Sequence, residues 1–193
     1  MRKLILWCLP LFMLTGCAIH HDVAFQDINY VIAGERFRDT GAVAVIDEQT
    51  LNNQISIRSF MTGIANSWDA QPGQMLKQVV DMEFPQMFQY YSFSTSYQEP
   101  MQGDRKLTIE MTIPSYTFED FKATVTVNFR VFEPGKKQLL SKSYTAQGIT
   151  QGGKMFWGGA FAMKSAIRQS SFDAYKKIFE MMRTDLRAAL AKA

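Results

Sequence analysis

The chain is short of the side chains that most often carry catalysis. It has two cysteines and two histidines in 193 residues, and all four lie near the start, at Cys8, Cys17, His20 and His21. A Ser-His-Asp hydrolase needs a histidine inside the fold, and none follows His21. A disulfide within the folded body is excluded for the same reason, so packing alone must hold it together. Beyond residue 17 no apolar run is long enough to cross a bilayer. Internal repeats and low-complexity tracts are absent, and the length suits one domain with a real core. The 21 basic residues nearly balance 18 acidic ones, which gives no argument for nucleic acid as a partner. The glycine spacings of nucleotide-binding loops are also missing, and no cofactor is expected.

What is present begins with the first seventeen residues. Arg2 and Lys3 precede an apolar run, Leu4–Met13, which leads to Leu14-Thr15-Gly16-Cys17. Charge, apolar stretch and small residues in this order make a secretory signal peptide. The tetrapeptide resembles the bacterial lipobox, whose cysteine receives diacylglycerol through a thioether because its thiolate is a good nucleophile. The expected organisation is a signal peptide over 1–16, lipidated Cys17 with a tether over 17–40, and a single α+β domain over 41–193. Cleavage would remove Arg2 and Lys3 and leave 19 basic residues against 18 acidic ones. With the several acyl chains usual on such a cysteine (palmitate among them), attachment would be effectively permanent. By the usual sorting pattern in a diderm cell, Ala18 implies the periplasmic face of the outer membrane. His20-His21-Asp22 then falls in the tether as solvated side chains, because adjacent histidines point different ways and no cysteine is left to complete a metal set.

Hydrophobic periodicity predicts the rest. Strands are expected at Gly41–Ile46 and Gln54–Phe60, with turn residues between them. Pro72-Gly73 opens a helix over Gln74–Tyr90, with Leu76, Val79, Val80, Glu83 and Met87 on one face. Pro85 should kink or end that helix near Phe84. A short strand is expected at Ser92–Tyr97. Strict alternation in Lys106–Pro114 and Phe121–Glu133, the Glu133-Pro134-Gly135-Lys136 turn and the return over Gln138–Thr150 predict an antiparallel meander. A terminal helix over Ala162–Leu190 buries Ile167, Ala174, Ile178, Met181, Leu186 and Leu190, with Phe172, Tyr175, Phe179 and Met182 widening the stripe. The fold class is α+β: an antiparallel sheet with a long C-terminal helix and a shorter helix packed on one face.

Two carboxylate pairs, Glu119 with Asp120 and Asp81 with Glu83, are expected to be solvated charge rather than a general acid and base. No catalytic residue is assigned. The stretch from Gln151 to Phe161 stands apart, with four glycines around Met155, Phe156 and Trp157. It is expected to be a mobile loop with two open readings. Either Lys154, Met155, Phe156 and Trp157 touch a partner or a membrane, or the large side chains fold back to cap the core.

The Leu107–Ile113 and Ala123–Val131 strands, the Glu133-Pro-Gly-Lys turn, Leu139–Tyr144 and Ala174–Leu186 together resemble a known group. They are similar to small outer-membrane lipoproteins of the ABC-transport auxiliary type and to envelope-assembly lipoproteins. The resemblance implies a non-catalytic accessory protein of a cell-envelope transport or assembly complex, with a membrane partner through Cys17 and an envelope protein partner. The alternative is a lipid or small-molecule binding module with a pocket between sheet and terminal helix, which adaptable methionines would suit.

Overall fold

The computed structural model describes residues 19–23, 25, 31–32, 36–58, 66–99 and 106–192, with backbone alone at 19–20, 154–156 and 159–160. Cys17 and the segment before it lie outside the described residues, as do Ser59 and Phe60 of the second expected strand.

The elements in order are β1 (Ile19–Val23), β2 (Phe37–Val45), α1 (Glu48–Leu51), β3 (Ile55–Ile57), β4 (Asn66–Ala70) and α2 (Pro72–Met87). They continue with β5 (Phe88–Ser94), β6 (Lys106–Glu119), β7 (Lys122–Phe132), β8 (Gln138–Gln147) and α3 (Gly152–Leu190). The strands form a five-stranded sheet, ordered β5-β2-β6-β7-β8, and a three-stranded sheet, ordered β1-β4-β3. Both helices pack on one face of the large sheet, α2 over β2, β5 and β6 and α3 over β7 and β8.

The meander β6-β7-β8 is antiparallel throughout, as the alternation predicts. Ile109, Met111, Val125, Val127 and Phe129 are buried beneath Ile167, Ile178 and Leu186. Gly135 sits at φ 77° and ψ 20°, the left-handed conformation that a type II turn requires at its third position. β6 runs past the expected end at Pro114 to Glu119. An irregularity between Thr112 and Ser115 absorbs the proline, which cannot donate to the ladder. It also reverses which side chains face inward. Odd-numbered residues are buried before it, and Tyr116 is buried after it.

The α+β class holds, with a long C-terminal helix and a shorter one on the large sheet, but that sheet is mixed rather than wholly antiparallel. β2 lies parallel to both β5 and β6. Parallel neighbours need a crossover, and the chain supplies one between β2 and β5 through the small sheet and α2. α2 continues two residues beyond Pro85 and β5 begins at once at Phe88, so the expected helix to Tyr90 and strand from Ser92 both shift. Pro85 has no N–H for the helix ladder, and α2 ends within two residues of it at Met87. Phe88 is buried, Tyr91 and Phe93 are half-buried, and Tyr90 is exposed, because β5 is an edge strand with one wetter face.

Three further differences are smaller. Asp47-Glu48-Gln49-Thr50 was expected as turn chemistry and forms the single turn α1 instead. Asp47 Oδ1 accepts the Thr50 N–H at 2.7 Å and satisfies an otherwise unpaired donor at the helix start. Asp47→Ala should therefore cost about 1 kcal/mol, to be checked by urea denaturation. The expected tether contributes β1, paired in register with β4, and Phe25, which packs edge-on against Phe172. On α3 the buried stripe is centred on Tyr175, Phe179 and Met182, and Met181 is 38% exposed.

Candidate functional site

The stretch expected as a loop is helical: α3 begins at Gly152 and runs for 39 residues. Each glycine costs about 1 kcal/mol in a helix relative to alanine, so local propensity alone does not favour this start. Tertiary contacts fix it. The Gln151 N–H donates to the Phe121 carbonyl at 2.9 Å. Thr150 Oγ1 donates to the Asp120 carbonyl at 3.2 Å, and the Ile149 N–H donates to Asp173 Oδ2 at 2.9 Å. The β6–β7 hairpin tip is thereby tied to the residues just before α3.

That tip is unusual in composition. Asp120 and Phe121 have φ of 49° and 58°, as a two-residue type I′ turn requires, though Asn-Gly is the usual pair there. Deeper along the helix, Ser170 Oγ accepts the Ala123 N–H at 2.8 Å, and Tyr116 shares a hydrogen bond with Ser171 at 2.7 Å. Gly148 passes so close to the Ser170 carbonyl that a Cβ would overlap it. Only glycine fits there.

The beginning of α3 carries exposed apolar side chains. Trp157 is 87% and Phe161 98% exposed, and Ile149, just upstream, is 60% exposed. Residues 157 and 161 stand one turn apart on the same helix face. The Trp157 side chain faces solvent rather than folding back over the core. The side chains of Lys154, Met155 and Phe156 are outside those described. The sequence reading omitted Phe161 as a contact residue, although its spacing from Trp157 was the available signal. Since Trp157 is so exposed, Trp157→Ala should change unfolding free energy by less than about 0.5 kcal/mol. A thermal melt of the variant checks this.

Other polar groups are dispersed. His21 lies in β1 and stacks on Trp68 with ring centroids 5.6 Å apart, so the expected solvated tether is a strand at this point. Asp81 holds Lys77 and Tyr91 at 2.6 Å each, while Glu83 is buried against Arg183 at 2.7 Å. Glu119 and Asp120 are exposed at the hairpin. Neither carboxylate pair converges on a cleft. Among the described residues no group of three or more His, Cys, Asp or Glu side chains is placed to hold a metal.

Two hollows are built from polar and mixed surface. One of about 400 Å³ lies on the sheet face away from the helices, around Glu110, Thr112, Asn128 and Arg130, where Arg130 pairs with Glu110 at 2.7 Å. The other, about 480 Å³, lies where β8 meets the end of α3, lined by Leu139, Leu140, Ala188 and Ala189 with Lys137 and Lys192 at its sides. At its rim, Asp185 accepts from Lys142 at 2.6 Å and from Tyr144 at 2.7 Å. These two donors hold the Asp185 carboxyl below its ordinary pKa. Burial, reinforced by that hydrogen bond, pushes the Tyr144 hydroxyl upward.

No family model matches the chain, and neither does any curated protein. Among solved structures it is similar to protein XCC0632 from Xanthomonas campestris, described as DUF330, at 13% identity and a TM-score of 0.45, covering 87% of this chain and 99% of that one. It is also similar to an uncharacterized protein at 12% identity and a TM-score of 0.42, covering 80% and 97% of the two chains. The hypothetical protein CT253 from Chlamydia trachomatis is similar at 10% identity and a TM-score of 0.43, covering 80% and 99%. Likenesses at these TM-scores carry no functional conclusion for the chain.

Proposed function

We propose that the chain is a non-catalytic, lipid-anchored accessory protein of a bacterial cell-envelope transport or assembly complex. It would be held by Cys17 on the periplasmic face of the outer membrane and would belong with the ABC-transport auxiliary type of lipoprotein. The single observation that carries this reading is the order Arg2-Lys3, Leu4–Met13, Leu14-Thr15-Gly16-Cys17 directly before a chain that folds. Such a start is the build of an exported, lipid-modified protein. The dispersed carboxylates fit a role in binding rather than chemistry. A partner protein would find exposed polar strand surface on the face of the large sheet opposite the helices.

A second reading has one observation in its favour. The hollow between β8 and the end of α3 has an apolar floor and lysines at its sides, which suits an amphiphile with an anionic head. The interface beneath is already filled, since Ile178, Phe179, Met182 and Leu186 are fully buried. A binding module would therefore use the rim rather than a pocket deep between sheet and helix. Native mass spectrometry of the protein purified from membranes separates the two readings. A protein that carries no mass beyond its covalently lipidated chain but crosslinks in cells to an envelope protein supports the accessory role. Stoichiometric co-purified lipid, lost in Leu140→Asp, supports the module and defeats the accessory reading.

A further inference from the structure

The distance between the anchor and the fold decides what the exposed start of α3 can meet. One residue, Ala18, separates Cys17 from β1. At about 3.5 Å per residue, the Ile19 backbone can stand no more than ~7 Å from the backbone of the cysteine. β1 is fixed in register to β4 over all five of its residues, so the folded body has no long tether. One end of the body must rest at the surface that holds the lipid.

The packing indicates which end. Phe25 lies against Phe172 and Tyr175 of α3. Phe25 also bonds to Gln78 of α2, and Ile32 bonds to Gln86 further along that helix. α2 and α3 run the same way, because Pro72 meets Tyr175 while Glu83 meets Arg183. From Phe25 onward the chain therefore heads toward the carboxyl ends of both helices. β1 precedes Phe25, with Val23 paired to Ala70 beside the start of α2, and α3 packs against both β1 and β4. The five residues of β1 cover about 16 Å, against about 22 Å for the fifteen helical residues from Phe172 back to Trp157.

Resting on the reading of Cys17 as lipidated, we propose that the start of α3 lies on the anchoring bilayer, with Trp157 and Phe161 seated at its headgroup–acyl boundary. A bilayer fits what is there. Trp157 and Phe161 are the most exposed aromatics of the described residues and share one helix face, and Ile149, three residues before the helix, is exposed as well. An indole ring is suited to that boundary because it is apolar yet carries an N–H donor. Lys154 and Lys164 flank the pair in sequence, as suits anionic headgroups. The surface acts as a second contact, which sets how the domain is oriented on a lipid anchor that alone would let it swivel.

The test uses the full protein extracted from membranes and reconstituted into vesicles of phosphatidylethanolamine and phosphatidylglycerol. Subtracting the emission of the Trp157→Phe variant isolates the Trp157 signal, since buried Trp68 cancels. Brominated acyl chains should quench that signal, and iodide outside the vesicles should not. Iodide quenching without bromine quenching overturns the proposal. A photo-crosslinker at position 157 that joins a second copy or another protein instead of lipid also overturns it. The intact mass of the same sample reports Cys17 separately. Quenching by bromine on an unlipidated chain would remove the anchor and leave the contact, whereas a lipidated chain with iodide-accessible Trp157 would remove the contact alone.

Discussion

Cys17→Ser should abolish membrane attachment and leave an uncleaved precursor that incorporates no labelled fatty acid. A serine hydroxyl is not ionised near neutral pH, so it does not replace the thiolate that attacks the lipid donor. The effect is all-or-none because retention by several acyl chains is so much stronger than by one, whose binding is only marginal. Folding should be untouched, since Cys17 precedes β1 and no disulfide depends on it. Gel mobility, fatty-acid labelling and cell fractionation read the outcome. Normal processing with retained label would refute the lipobox assignment and, with it, the proposed location.

Arg183→Ala should cost about 3–5 kcal/mol, the cost typical of leaving a buried charge without its counter-ion. Glu83 is fully buried on α2, and the Arg183 guanidinium reaches it from α3 at 2.7 Å with its side chain 12% exposed. The pair therefore bridges the two helices where both press on the large sheet. Its net value is a different matter from its sensitivity. Desolvating two charges offsets much of their attraction, so replacing both by apolar residues of similar volume is often neutral or stabilising. Glu83→Leu combined with Arg183→Met should accordingly restore most of the stability that Arg183→Ala loses. Urea midpoints of the three variants decide it. A loss below about 1 kcal/mol for Arg183→Ala would mean that water reaches Glu83.

Glu83 also shows how far a sequence can be followed. Its spacing with Leu76, Val79, Val80 and Met87 places it on the apolar face of α2, where an acid looks out of place. Its partner lies 100 residues away, and nothing in local spacing points to it. The start of α3 gives a similar case. Glycine pairs at 152–153 and 158–159 argue for a loop by propensity, yet the hairpin tip at Asp120 and Phe121 accepts hydrogen bonds from Thr150 and Gln151 and holds the chain just ahead of the helix. Trp157 is exposed, which spacing along the chain does not decide.

The sequence by itself determined the elements whose pattern is local. Period-two alternation produced the β6-β7-β8 meander, because inward and outward side chains report which face is buried. Helical spacing produced α2 and the body of α3, and the order of charge, apolar run and Leu-Thr-Gly-Cys is what the proposed anchor rests on. Tertiary structure decided what alternation does not encode, namely the identity and direction of a strand's neighbours. β2 pairs in parallel with β5 and β6 because a crossover returns the chain in the same sense. Residues 19–23 become a strand because β4 offers them a free edge to pair with. Both outcomes depend on backbone groups finding partners far along the chain, and a residue's immediate neighbours carry no record of that.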